Sequence, residues 1–214
     1  MANFVDSRGV LYVVFGLRAK DEAEQSIKAL KLHCPWPVHV VGDQKPKGAT
    51  EFIQVDRIDG DPIVSSRAAK TSMYAWSRFE STLYLDADTR PRGDLSFGWT
   101  ALDRGWDLAL APSWDPSFER LLRDEVGATI IEIGSRYPLP LNSGVIFFRR
   151  SDRASHFFKT WMEEWRRWRG RDQGALLRAI CRGKPRLLVL GRSWNTYHNK
   201  TDALVAHYFG RAEE

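Results

Sequence analysis

Residues 81–90 read Ser-Thr-Leu-Tyr-Leu-Asp-Ala-Asp-Thr-Arg. Leu83, Tyr84 and Leu85 form a short apolar run of the kind that makes a buried strand. The run stops at two carboxylates, Asp86 and Asp88, and in an extended chain side chains two apart point to one face. Two hard oxygen ligands at a strand's carboxyl end suit a Mg²⁺ or Mn²⁺ that carries phosphates. That edge of an open α/β sheet is also where ligands usually bind. A second Asp-x-Asp, Asp59-Gly60-Asp61, follows no apolar run and reads as a turn.

Outward from this strand, apolar runs alternate with amphipathic ones. Residues 9–16, β-rich and bounded by glycines, predict the first buried strand, and residues 37–41 and 52–55 predict two more. Helices are expected over 20–33 and over 62–78, the second carrying Lys70. Beyond the Asp pair, strands are expected at 106–111, 129–133, 144–148 and 186–190, with helices over 113–123, 152–168 and 172–181. A proline-rich loop, Tyr137-Pro138-Leu139-Pro140, separates two of the strands. The alternation predicts an α/β fold with a mostly parallel, mixed central sheet flanked by helices. Trp161, Trp165 and Trp168 fall at i, i+4 and i+7, a helix face packed on the core, which leaves Glu163, Arg166, Arg167 and Arg169 facing outward.

At 214 residues the chain is long enough for one domain with a substantial core and short for two, so a single domain over 1–214 is expected. No apolar run approaches the roughly 18–20 residues of a membrane span. The start, Met-Ala-Asn-Phe-Val-Asp-Ser-Arg-Gly, lacks the basic and apolar regions of a signal peptide. Cys34 and Cys181 sit in no metal-ligand pattern. Together these features lead us to expect structural thiols in a cytoplasmic protein. The net charge of +5 is uneven: residues 149–192 hold thirteen Lys or Arg against four Asp or Glu. Such a region serves as a solvated face, a site for a phosphorylated ligand, or a nucleic-acid footprint.

Five segments in order give the chain a resemblance to a known family. They are Lys70 ahead of Leu-Tyr-Leu-Asp-Ala-Asp-Thr at 83–89, Gly93-Asp94-Leu95 behind it, Leu141-Asn142-Ser143-Gly144-Val145, Asp172-Gln173-Gly174, and Ala206-His207-Tyr208-Phe209-Gly210. Over about residues 63–210 the chain resembles the retaining glycosyltransferases of the GT-A fold, specifically family 8, the group of glycogenin and of bacterial lipopolysaccharide galactosyl- and glucosyltransferases.

The resemblance implies transfer of a sugar from a nucleoside-diphosphate sugar, UDP being the default, with retention of configuration. It implies Asp86, Asp88 and His207 as ligands of Mn²⁺ or Mg²⁺, and a neutral imidazole suits Mn²⁺ better than Ca²⁺. It implies Lys70 on the donor, and Asp172, Gln173 and Asn142 as the catalytic set beside the sugar. Phe15, Gly16, Arg18, Ala87, Ser143, Gly144, Gly210 and Arg211 are then the further donor-binding positions. Residues 1–110 form the nucleotide-sugar side and 111–214 the acceptor side.

Two departures from the family accompany this. The loop Phe15-Gly16-Leu17-Arg18 lacks the Thr and Asn that commonly read uracil there, and Gly210-Arg211-Ala212-Glu213-Glu214 replaces the usual Lys-Pro-Trp segment. Either Arg211 supplies the diphosphate contact of that lysine or the contact is missing. No residue is an obvious nucleophile, so front-face substitution is the expected mechanism.

Two other readings compete. A haloacid dehalogenase-type phosphatase also sets Asp-x-Asp after an apolar strand, but near the chain start and with Thr two residues beyond the second Asp, where this chain has Arg90. A non-catalytic binder of sugar nucleotides or carbohydrates, on a decayed transferase fold, is the other. The acceptor is open among a saccharide, a lipid-linked glycan, a protein and modified DNA; an anionic one would meet Arg166, Arg167, Arg169 and Arg171.

Overall fold

A computed structural model describes residues 6–113, 125–135 and 139–209. Its central strand β1 (Asp6–Val14) is buried on both faces, Val10, Tyr12 and Val14 turning to one side and Leu11 and Val13 to the other. Strands β2 (Val38–Gly42) and β3 (Glu51–Gln54) extend the sheet in parallel on one flank, and β4 (Phe79–Leu85) pairs in parallel on the other. Beyond β4 the sheet turns mixed: β7 (Leu141–Arg149) runs antiparallel to both β4 and β6 (Leu108–Pro112), and β8 (Leu187–Val189) closes the edge parallel to β6. The order is β3-β2-β1-β4-β7-β6-β8, the mixed α/β sheet that the alternation predicted.

Two apolar layers cover the sheet. On one face lie α1 (Leu17–Leu30) and α4 (Ser96–Asp103), contributing Ala23, Ile27, Leu30, Trp99 and Leu102. On the other lie α2 (Pro62–Thr71), the single turn α3 (Met73–Trp76), α6 (Asp152–Trp168) and α7 (Asp172–Gly183). Burial on both faces explains why the strands read as continuous apolar runs. Asp61 starts α2: its carboxylate accepts from the Ile63 and Val64 N–H groups, with Pro62 at the first helical position. Asp59-Gly60-Asp61 is thus a turn and a cap.

Residues 129–133 are not the strand that their β-branched run predicts. They belong to helix α5 (Val126–Ile133), in which Val126, Ile130 and Ile133 recur at helical spacing and pack on Leu177. Thr129 Oγ1 bonds back to the Glu125 carbonyl at 2.7 Å, and the buried Arg178 guanidinium holds the helix through Thr129 and Glu125. Tertiary contacts override local β preference here. Most of the helix expected over 113–123, and Tyr137-Pro138 of the proline-rich loop, lie outside the described residues.

A small second sheet has no sequence counterpart. Strand β10 (Val205–His207) lies between β5 (Thr89–Pro91), antiparallel to it, and β9 (Thr196–Tyr197), parallel to it. In this register His207 stands opposite Thr89, and the Tyr208 N–H bonds the Asp88 carbonyl at 3.0 Å. Backbone pairing thereby carries a residue near the end of the chain to the aspartate pair.

Candidate active site

The chain does not stay extended past β4. It turns at 87–88, where Thr89 closes on the Asp86 carbonyl with its N–H at 3.1 Å and its hydroxyl at 2.7 Å. The two carboxylates still converge. Asp86, Asp88 and His207 each offer a ligand atom within 4.8 Å of the others. His207 Nε2 lies 3.1 Å from Asp88 Oδ1 and 3.9 Å from Asp86 Oδ2.

Asp86 is held from two further directions. The Tyr84 hydroxyl donates to Oδ1 at 2.7 Å, and the Lys70 ammonium lies 2.9 Å from Oδ1 and 3.0 Å from Oδ2. Lys70 Nζ also reaches Asp172 Oδ2 at 3.1 Å. The same Asp172 oxygen accepts from the Ser143 hydroxyl at 2.5 Å. Burial works against the Lys70 charge, but Asp172 and Asp86 outweigh it and raise the pKa. Burial likewise pushes the Asp172 carboxyl up, and Lys70 and Ser143 hold it below the ordinary carboxylate value. Tyr84 is raised by burial and by the neighbouring Asp86, so it stays a donor.

The backbone of this corner is tightly specified. Gly144 stands where a Cβ would come within 2.5 Å of His207 Cε1 and 2.9 Å of Asp86 Oδ2. Its own N–H donates to Asn142 Oδ1 at 2.7 Å. Gly16 takes φ of 87°, a conformation that suits glycine, and its N–H donates to Asp43 at 2.8 Å. The tryptophan stripe does more than fill space. Trp161 and Trp165 are buried as expected while Trp168 is 38% exposed. Trp161 Nε1 donates to the Asp172 carbonyl at 3.0 Å, and Trp165 Nε1 to the Gly170 carbonyl at 3.2 Å, pinning the turn that presents Asp172.

Beside this cluster is a cavity of about 500 Å³, within the range of small-molecule sites. Of the residues expected at the site, Phe15, Arg18, Lys70, Asp86, Ala87, Asp88 and Asp172 line it. Asn142, Ser143 and His207 do not; they touch the site through Gly144, Asp172 and Asp88. Gly16 begins α1 next to Phe15, and Gln173 follows Asp172, half-buried, without lining the cavity. Gly210 and Arg211 lie outside the described residues. Arg166, Arg167 and Arg169 are exposed on α6 and its end, and Arg171 is half-buried. Sequence reasoning missed Tyr84, Asn195 and the pinning role of Trp161. Only Tyr84 left a signal, its place on β4 two residues before Asp86.

The donor set fits a hard divalent cation. Lys70 pairs with Asp86 and Asp172, while Asp86, Asp88 and the His207 imidazole converge on one point as an oxygen–nitrogen set. No helix among the described residues is long and apolar enough to cross a membrane.

No family model matches the sequence, and no curated protein matches it. Solved structures match in three dimensions. Mouse xyloside xylosyltransferase 1 superposes with a TM-score of 0.64 at 15% identity, over 95% of this chain and 97% of that one. The galactosyltransferase LgtC, solved with donor and acceptor sugar analogs, superposes with a TM-score of 0.65 at 16% identity, over 98% and 88%. The bifunctional glycosyltransferase WbbM gives 0.65 at 14% identity, over 99% of this chain and 47% of that one. The chain has the GT-A glycosyltransferase fold.

Proposed function

We propose that the chain is a metal-dependent glycosyltransferase that moves a sugar from a nucleoside-diphosphate sugar, UDP-linked by default, to an acceptor with retention of configuration. The observation that carries this reading is the convergence of Asp86, Asp88 and His207 beside a cavity that Lys70 and Asp172 also line or touch, in a GT-A fold. Residues 1–110 are the nucleotide-sugar side and residues 111–214 the acceptor side, with Asn142, Asp172, Gln173 and His207 of the second part reaching the donor.

Asp86, Asp88 and His207 would hold Mn²⁺ or Mg²⁺, which as a Lewis acid neutralises charge growing on a leaving diphosphate. Lys70 supplies a second, fixed positive charge at the same oxygens' side of the cavity. Asp172, oriented by Ser143 and Lys70, accepts hydrogen bonds from sugar hydroxyls, bonds that gain strength as positive charge develops on the sugar ring. Gln173 and Asn142 complete the sugar side. Lys70 and Ser143 both bond Asp172 Oδ2 and so orient the carboxylate, and front-face substitution asks it only for sugar contacts. The acceptor hydroxyl then attacks from the face the diphosphate leaves, and a departing phosphate oxygen takes its proton.

The basic surface around Arg166, Arg167 and Arg169 supports an anionic acceptor. The test is calorimetric titration of nucleoside diphosphates with and without Mn²⁺. Binding that strengthens at least about tenfold, 1.4 kcal/mol, with the ion supports the reading; affinity equal in EDTA contradicts it.

A further inference from the structure

We propose that Asn195 is a positioning residue that holds the hydrogen on His207 Nδ1 and so fixes Nε2 as the nitrogen able to ligate a cation. The proposal rests on the metal reading above and extends it one layer outward from the ligands.

The assignment starts from a group whose role is not in question. The Gly144 backbone N–H can only donate, and it meets an Asn142 side-chain atom at 2.7 Å, so that atom is the carbonyl oxygen Oδ1. The same oxygen lies 2.7 Å from an Asn195 side-chain atom. Two amide oxygens repel at that separation, so Asn195 presents its Nδ2 there and donates. Its other atom is then Oδ1, and it faces His207 Nδ1 at 2.8 Å. An amide oxygen only accepts, so Nδ1 carries the hydrogen. Nε2, which lies 3.1 Å from Asp88 Oδ1 and 3.9 Å from Asp86 Oδ2, is then the nitrogen left to ligate a cation.

One backbone N–H therefore sets the tautomer of a candidate ligand through two amides. The relay is dry: Asn195 is 1% exposed, His207 4% and Asn142 5%. The ring is held in plane as well, with Phe209 stacked on it at 4.0 Å between centroids. Asn195 itself is fixed at the end of a single 3₁₀ turn (Arg192–Trp194), its N–H bonded to the Arg192 carbonyl at 3.1 Å. The arrangement follows the general rule that a ligating histidine is oriented by the bond its second nitrogen donates.

Two measurements test this. In the metal-free protein, ¹⁵N chemical shifts of the labelled His207 ring report which nitrogen carries a hydrogen. The expected result is a proton on Nδ1, whether or not Nε2 also carries one; a bare Nδ1 overturns the proposal. Mn²⁺ alone is then titrated into wild type and Asn195→Ala, with free ion followed by electron paramagnetic resonance. Affinity should fall about 10–100-fold in the variant, whereas affinity within twofold of wild type, in a variant that melts cooperatively, overturns it. If Asn195→Ala does not fold, the wild-type ¹⁵N result decides alone. Failure of wild type to bind Mn²⁺ would count against the metal reading instead, and the ¹⁵N result would still judge Asn195.

Discussion

Lys70 Nζ lies 3.1 Å from Asp172 Oδ2, joining α2 to the first turn of α7 beside the cavity that both residues line. The same ammonium grips Asp86, so one buried cation links Asp172 to the Asp86, Asp88 and His207 cluster. Replacing Lys70 by Ala leaves two carboxylates facing each other without their counter-charge. The expected loss is about 3–5 kcal/mol, the range for breaking a buried pair from one side. Denaturant unfolding checks it, and a midpoint unchanged from wild type would contradict the linkage.

Asp172→Asn separates the chemical role from the structural one. Because its contacts would fall on the sugar, kcat should drop at least about tenfold while nucleoside-diphosphate affinity stays near wild type. Weakened nucleotide binding with kcat spared would reassign the residue. A pH series adds a second readout. The folded-state pKa of Asp172 is depressed, so the stability it contributes is present above the unfolded value of about 3.9 and is lost as pH falls below it. The melting difference between wild type and variant should therefore be full near neutrality and shrink below about pH 4.

Gly144→Ala probes the packing of the metal corner. The new methyl would press on the His207 ring and on Asp86. We expect about 1–3 kcal/mol of destabilisation, the usual cost of overpacking, together with weakened Mn²⁺ binding. A variant that binds Mn²⁺ and melts like wild type would show that this corner tolerates displacement.

How much of this was legible beforehand depends on sequence distance. The strand at 83–85 and its two aspartates form one local pattern, as do Asp61-Pro62 at the start of α2 and the Trp161/Trp165 stripe. Residues 129–133 misled because β-branched side chains favour strands locally, while Thr129 is fixed by Arg178 and Ile130 and Ile133 pack on Leu177. Strands β9 and β10, two and three residues long, are too short to show a period. His207 was found through the resemblance to a family; its geometric partner Asn195 was not, because a lone buried asparagine carries no sequence signal and its role exists only through Asn142 and the Gly144 backbone.

The charge-reversed triple variant Arg166→Glu, Arg167→Glu, Arg169→Glu addresses the acceptor. These side chains are exposed and away from the buried faces of Trp161 and Trp165. For an anionic acceptor, KM for the acceptor should rise and the salt dependence of binding should flatten, with donor hydrolysis unchanged. Acceptor affinity indifferent to salt between about 50 and 200 mM would mark this as an ordinary solvated face.

The central claim is tested most directly by sugar release from a panel of nucleotide sugars, with wild type and Asp88→Asn assayed side by side. Asp88 is the choice because Asp86 also neutralises Lys70, so its loss would confound stability with chemistry. The account predicts that wild type releases free sugar and nucleoside diphosphate from at least one donor in Mn²⁺, that EDTA stops it, and that folded Asp88→Asn is inactive in either condition. Turnover by wild type that persists in EDTA, or by Asp88→Asn at the wild-type rate, would contradict it.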